Sequence, residues 1–232
     1  MEELIKINKG LEAHLKPRLP LDHGRVFPAT PLQESILKEM VQSNFRRYFT
    51  VHLFQLNAST QEEKLLRAVD HVIGNSPILR TTFLEVHDPQ SSVNYAQIVR
   101  EDWEKATKTK VLVGNDSWSL EQLLQGAEEK LRDGWASIEK HMFGIFPVHF
   151  GDKRFIMMAI SHALYDGGSL PMIHDDIKKA YYGEEITKRP EYACYIAEAF
   201  HSVNNEAKEF WKATLWNSPP FNISKAGTIT NS

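Results

Sequence analysis

The chain has 232 residues, with 27 Lys plus Arg against 30 Asp plus Glu, for a formal net charge of −3. That length suits one domain able to bury about 70% of its unfolded surface, with no need of a disulfide or metal staple. The near-neutral balance gives no drive toward nucleic acid or anionic membranes, the 12 Phe, 5 Trp and 7 Tyr exclude global disorder, and a lone cysteine, Cys194, excludes a disulfide framework and reads as a core thiol.

Residues 1–25, with Pro17, Pro20 and Gly24, read as a lead-in rather than core. Glu2 and Glu3, with no apolar stretch after them, argue against a secretory signal. Thr30-Pro31-Leu32-Gln33 opens the first helix: Thr30 can cap, Pro31 fits the first helical position, and Gln33 can reach back. Residues 48–56 mix aromatic and β-branched side chains and read as a strand. Leu65, Leu66, Val69, Val72 and Ile73 form one face of a helix from 62 that Gly74 ends. Residues 78–86 and 93–99 read as the next strands, and 119–139 as one long helix with an apolar stripe from Leu120 to Ile138.

Residues 148–150 and 155–160 flank Gly151-Asp152-Lys153-Arg154, which reads as a hairpin with a four-residue turn. Phe155 to Ile160 is apolar at every position, as a strand covered on both faces would be, so it is placed centrally in its sheet. A helix begins near Ser169 with Leu170, Ile173, Ile177, Ala180 and Tyr181 as its buried stripe, and two further amphipathic helices fit 192–203 and 206–216. Residues 218–232, with Pro219, Pro220 and Gly227, read as a linker-like tail. The predicted fold class is α/β, a two-layer sandwich of helices on a mixed sheet, with 26–217 as the folded lobe.

The segment Ser161-His162-Ala163-Leu164-Tyr165-Asp166-Gly167-Gly168-Ser169 lies between the buried strand and a helix. His162 is the side chain there whose ordinary pKa lies near neutrality, which suits proton transfer. Gly167 and Gly168 would permit backbone conformations and close approach that a β-carbon blocks. The free N–H groups of the new helix could favour developing negative charge. From the residues alone, His162 equally suits a satisfied structural histidine, and Asp-Gly-Gly a plain turn. His71, His141 and His174 lack an i+4 His or Cys partner, so no metal site is expected, and His52 is given no role. No GxSxG, P-loop, GxGxxG, HExxH or basic run occurs, which removes those enzyme classes and nucleic-acid binding as sequence-level expectations.

Ser-His-Ala-Leu-Tyr-Asp-Gly resembles the HHxxxDG signature of condensation domains in nonribosomal peptide synthetases, members of the wider chloramphenicol acetyltransferase-like superfamily. Ala29 to Glu34 resembles the opening motif of those domains, and Pro77-Ile78-Leu79-Arg80-Thr81-Thr82-Phe83 the second motif. The stretch from Tyr195, with Ala207 to Lys212, is similar to the segment that closes their first lobe. The SHALYDG form is similar to the versions in fungal peptide synthetases, siderophore synthetases among them.

The resemblance implies transfer of a thioester-bound acyl or aminoacyl group to an amine, with amide formation. It implies that His162 orients the amine or takes its proton, and that Asp166, Arg80, Ser161, Gly167 and Gly168 support the site, Asp166 through an ion pair with Arg80. Ser161 stands where the family has its first His, and Asn75-Ser76 where the second motif has Arg-His. A complete condensation domain has two lobes and about 450 residues by the family pattern, so the expected chain is a first lobe alone. No directly bound cofactor or metal is expected; substrates would arrive on the phosphopantetheine of carrier domains. The expected partners are carrier domains or a missing second lobe, with a homo-oligomer possible, no nucleic acid and no membrane, and the expected location is the cytoplasm. Two other readings stay open: a non-catalytic lobe that docks a carrier domain or synthetase, and an acetyltransferase-like enzyme with sites between subunits.

Overall fold

The computed structural model of the chain describes residues 2–88, 91, 93–102, 112–113, 119–140, 142–201 and 205–218. Helix α1 spans Glu2–Leu15. Its Leu4, Leu11 and Leu15 are buried and Ile7 partly so, a spacing of three and four residues that puts all of them on one face. That face packs against Val26, Leu84, Val86, Ala96 and Ile98. The reading of residues 1–25 as a lead-in is therefore corrected: the segment is a core helix, and Pro17 and Pro20 only follow its end.

The strands under α1 are β1 (His23–Pro28), β3 (Thr81–Glu85) and β4 (Tyr95–Arg100). They make an antiparallel sheet in the order β1-β4-β3. A second sheet is built from β2 (Phe49–Leu56), β5 (Leu112–Val113), β6 (Phe143–Phe150) and β7 (Lys153–Ser161), in the order β2-β7-β6-β5. Its β5–β6 pair is parallel and the rest antiparallel, so the sheet is mixed. The expected α/β class holds, with two hydrogen-bonded sheets where one was expected. β7 lies inside its sheet, and Phe155 to Ile160 are buried at every position, as the unbroken apolar run requires.

Four of the remaining helices share one apolar core with this second sheet. Helix α2 (Pro31–Gln42) starts with the expected capping box: Gln33 N–H donates to Thr30 Oγ1 at 3.3 Å, and Thr30 N–H donates to Gln33 Oε1 at 3.0 Å. Helix α3 (Glu62–Asn75) runs one residue past Gly74 and is stopped by Pro77, which opens a 3₁₀ turn, Pro77–Arg80, where the sequence suggested strand. Helix α4 (Leu120–Lys130) is shorter than expected. It closes in a wide turn over Leu131–Trp135, with Ala136 N–H donating to Leu131 O at 2.7 Å. This turn brings Trp135 over Gly144, where an added β-carbon would come within 2.5 Å of the indole, and edge-on to Phe146 at 5.0 Å. Helix α5 (Ser169–Tyr182) packs on α3.

The β6–β7 hairpin is tighter than expected, pairing Phe150 with Lys153 across Gly151-Asp152. Gly151 has φ of +58°, a conformation that favours glycine at the first turn position. Two last helices follow, α6 (Tyr192–His201) and α7 (Asn205–Leu215). Cys194 on α6 is exposed, which corrects its assignment to the core; Ile196, two residues on and so on a different face of the helix, is buried. The expected linker-like tail beyond Ser218 lies outside the described residues.

Candidate functional site

The pairing of β2 with β7 ends at Phe49 opposite Ser161, and the first residue after β7 is His162. Its backbone N–H donates to Tyr48 O at 2.8 Å, which extends the ladder by one bond and fixes where the ring leaves the sheet. Tyr48 makes this bond from a left-handed conformation, φ +59°, unusual for a bulky aromatic residue. Ser161 is fully buried; its hydroxyl contacts Met40 Sδ at 3.4 Å and accepts from Ala163 N–H at 3.1 Å, so it shapes the turn on which His162 sits.

The His162 ring lies face to face with Tyr165, centroids 4.4 Å apart and planes 24° apart. Its Nε2 is 3.0 Å from Tyr165 Oη, and that hydroxyl donates to Thr50 Oγ1 at 3.2 Å. Nδ1 has no hydrogen-bond partner among the described residues, and the ring is only part-buried. Tyr48 approaches edge-on at 6.3 Å. Thr50, His52 and Phe54 occupy alternate positions of β2 and so share one face. On it His52 lies 6.4 Å from Tyr165, and Phe54 is edge-on to His174 of α5 at 5.3 Å. Nε2 of His52 and of His174 is buried with no partner among the described residues.

Burial holds the pKa of His162 and of His174 below the ordinary value. Burial does the same for His52, reinforced by the nearby His174 and His162. A neutral imidazole is therefore the resting form at neutral pH, the form that can accept a proton. Among the described residues no three His, Cys, Asp or Glu side chains come together as a metal-binding set.

The supporting residues are placed differently from expectation. Asp166 does not pair with Arg80. Its carboxylate is exposed and accepts from Gly168 N–H at 3.1 Å, Ser169 N–H at 2.8 Å and Ser169 Oγ at 2.8 Å, while its backbone oxygen accepts from Leu170 N–H. It caps the start of α5, and the Ser169 hydroxyl and these N–H groups hold its pKa below the usual range. Two of the helix-start N–H groups expected to face the site, those of Gly168 and Ser169, are thus taken by this carboxylate. Arg80 is bonded elsewhere, through Nη1 to Glu101 Oε2 (2.8 Å) and Arg100 O (2.7 Å) at the far end of β4, while its Nε is buried with no partner among the described residues. Gly167 and Gly168 do not need to be glycine for backbone reasons: neither has positive φ, an added β-carbon meets nothing within 4 Å at Gly167, and at Gly168 it meets only Asp166 Oδ1 at 3.5 Å.

Several site residues escaped the sequence reading. Gln33 is buried, and its Nε2 donates to Ala163 O at 2.9 Å and to Gln97 Oε1 at 3.2 Å, while Gln97 Nε2 donates to Pro28 O. The opening motif is thereby tied through one amide to the loop that carries His162. Tyr165 sits three residues after His162, a spacing that a tight turn can bring together, and this was an available signal. The contributions of Tyr48, Thr50, His52 and His174 depend on the β2–β7 register and on the docking of α5, which no local spacing reveals.

No family model matches the chain. Over 220 residues it is 31% identical to the nonribosomal peptide synthetase sidC of Arthroderma benhamiae, covering 93% of this chain and 4% of that protein. Over 197 residues it is 32% identical to the nonribosomal peptide synthetase SIDC of Beauveria bassiana, covering 84% of this chain and 4% of that one. Among solved structures, the epimerization domain from the third module of tyrocidine synthetase B superposes with a TM-score of 0.67 at 14% identity, covering 86% of this chain and 46% of that one. The condensation domain of the monacolin K polyketide synthase MokA superposes with a TM-score of 0.61 at 19% identity, covering 88% and 45%. The chain thus spans a small fraction of these curated relatives and about half of the solved domains. The resemblance read from its motifs holds: over most of its length this chain is similar to fungal nonribosomal peptide synthetases, and it has the fold of one lobe of a condensation domain.

Proposed function

We propose that the chain is the first lobe of a condensation domain that joins a carrier-bound thioester to an amine, and that it acts together with a second lobe. The amine nitrogen attacks the thioester carbon, the amide C–N bond forms, the C–S bond breaks, and the proton lost by nitrogen passes through His162 to the departing thiolate. The observation that carries this reading is His162 itself, a part-buried imidazole kept neutral at the end of a central strand. An α-amine is largely protonated at neutral pH, so a positioned neutral base both frees and orients it.

The need for a second lobe is supported by the surface. Tyr48, just before β2, and Phe54, on the β2 face shared by Thr50 and His52, are exposed apolar groups, Leu53 is exposed on the opposite face, and α7 with the residue after it exposes Phe210, Trp211, Leu215 and Trp216, the last at 83%. Large apolar side chains left open in this number suit surfaces that a partner covers. Carrier domains bearing phosphopantetheine are the proposed partners, a cytoplasmic setting the proposed location, and the siderophore-synthetase branch the narrower placement, on the SHALYDG form alone. No helix among the described residues is long and apolar enough to cross a membrane.

The test is amide formation from acyl-loaded carrier proteins, run with the chain alone and with a separately expressed second lobe. Turnover only with the second lobe, abolished by His162→Ala at unchanged thermal stability, supports the proposal. Turnover by the chain alone would favour a site between copies of the chain. No turnover in either arm, with carrier binding retained, would favour a docking lobe without catalysis.

A further inference from the structure

We propose that the loop between α2 and β2 is a strained mount for His162, held in place by Arg132 and acting through Tyr48, so that Arg132 and Tyr48 are positioning residues. This rests on the reading of His162 as a base. Among the described residues, three other than glycine have positive φ, and all lie in this loop: Asn44 at +51°, Phe45 at +57° and Tyr48 at +59°. A β-carbon makes that conformation costly, least for asparagine and more for bulky side chains.

At Asn44 and Phe45 local contacts offset the cost. Asn44 is of the residue type that tolerates the conformation, and its Nδ2 donates to Asp133 Oδ1 at 3.0 Å. Phe45 N–H donates to Met40 O at 2.8 Å, and its ring packs on the core, edge-on to Phe49 at 5.8 Å. Tyr48 is different. Its side chain is 46% exposed, its ring meets His162 edge-on at 6.3 Å, and its carbonyl accepts the His162 N–H at 2.8 Å. Core packing does not account for a left-handed tyrosine on an open surface; its contacts with His162 do.

A strained conformation persists only where its surroundings impose it. Here Arg132 imposes it from the wide turn that closes α4. Its Nη1 donates to Phe45 O at 2.6 Å and to Phe49 O at 3.0 Å, which pins the loop on both sides of Tyr48. Glu128 fixes the guanidinium in turn, accepting from Nε at 3.2 Å and ion-pairing with Nη2. Without these donors Tyr48 would relax toward the extended region, swinging the peptide whose oxygen holds His162 and moving the ring beside it. The wide turn thus serves His162 as well as Trp135, and π-type turns recur at functional sites.

The experiment sets stability against activity. Tyr48→Asn keeps the carbonyl and suits the left-handed backbone, so it removes the strain and the ring together. It is expected to raise the melting temperature by about 2 °C. In the assay with a second lobe it is expected to lower kcat roughly tenfold or more, with KM within about twofold. Tyr48→Phe, which keeps both ring and strain, is expected to hold the melting temperature. Arg132→Met keeps the apolar stem and removes the donors. It is expected to lower kcat in the same way and to shift the His162 amide and ring signals in nitrogen-15 NMR of the labelled full chain, His162 being assigned by its loss in His162→Ala. Arg132→Lys, which can still donate to a carbonyl, is expected to recover part of both. A lower melting temperature for Tyr48→Asn, or His162 signals unmoved by Arg132→Met, would overturn the proposal. If Arg132→Met fails to fold, Tyr48→Asn decides by itself. Melting and NMR need no turnover, so the two readings are separable: retained activity of His162→Ala sinks the base, whereas unmoved His162 signals sink the mount alone.

Discussion

Asp166 separates two accounts of the signature loop by magnitude. An aspartate buried against Arg80 would, on truncation, strand a guanidinium and cost about 3–5 kcal/mol. The observed carboxylate is exposed and takes three hydrogen bonds from Gly168 and Ser169 at the start of α5. Removing a capping side chain costs typically about 1 kcal/mol, within ~0.5–2. Asp166→Ala should therefore lower the melting temperature by about 2–4 °C for a chain of this size. Asp166→Asn should recover most of the loss, because the amide oxygen still caps and only the favourable charge at the helix start is gone, worth about 0.3–1 kcal/mol.

The pH dependence gives a second check on the same residue. The folded pKa of Asp166 is depressed, chiefly by the Ser169 hydroxyl. Its contribution is thus full above the unfolded value, near 3.9, and fades as pH falls through the lower folded value. The measurement is thermal unfolding of both variants and of Arg80→Ala and the double variant. A loss of about 3 kcal/mol or more for Asp166→Ala, with strong non-additivity against Arg80→Ala, would refute the cap and restore the ion pair.

Leu15 is 1% exposed in the core under α1, so Leu15→Ala should cost about 2–5 kcal/mol in urea unfolding; no loss would return residues 1–25 to a lead-in. Gly144→Ala should cost about 1–3 kcal/mol by overpacking, since its β-carbon would meet Trp135 at 2.5 Å, whereas Gly167→Ala, with open space around it, should stay within about 0.5 kcal/mol by the same measurement. His52, His162 and His174 all have folded pKa values below the ordinary one. The unfolded chain then binds more protons, and stability should fall as pH drops from about 6.5 toward the folded values; His52→Phe should flatten that dependence, and an unchanged slope in a pH series of melts would argue against it. By the same direction, the acid limb of amide formation should lie below the ordinary histidine value.

The fold was legible where a local rule decided the outcome. The capping box at Thr30 and Gln33, the apolar run of β7 and the stripe of α5 each carry their answer in a window of a few residues. The misreadings share a cause in long-range packing. α1 was hidden by its neighbouring prolines although Leu4, Ile7, Leu11 and Leu15 held a helical spacing. The early end of α4 reflects a demand from elsewhere: Trp135 must reach Gly144 and Phe146, and the wide turn is how it gets there.

At the site the same distinction decides what could be read. His162 was found because its neighbours in sequence make a recognisable pattern, but its chemistry depends on residues that the pattern does not name. The family-derived pairing of Asp166 with Arg80 failed because each residue has nearer partners: the carboxylate has three donors within three residues, and the guanidinium has Glu101 and the Arg100 carbonyl. What holds the loop instead is a neutral network, Gln33 to Ala163 O and Gln33 to Gln97, every atom of the Gln33 amide being engaged. A buried amide tolerates neither loss of its partners nor a change of length. Gln33→Leu should therefore displace the His162 loop and lower activity more than its loss of α2 capping predicts. Gln33→Glu should do worse in stability, because a buried carboxylate would replace the two donated hydrogen bonds with two facing oxygens. If both variants keep the His162 ring signals of the unmodified chain, the loop is held by the strand alone and the network is incidental to the site.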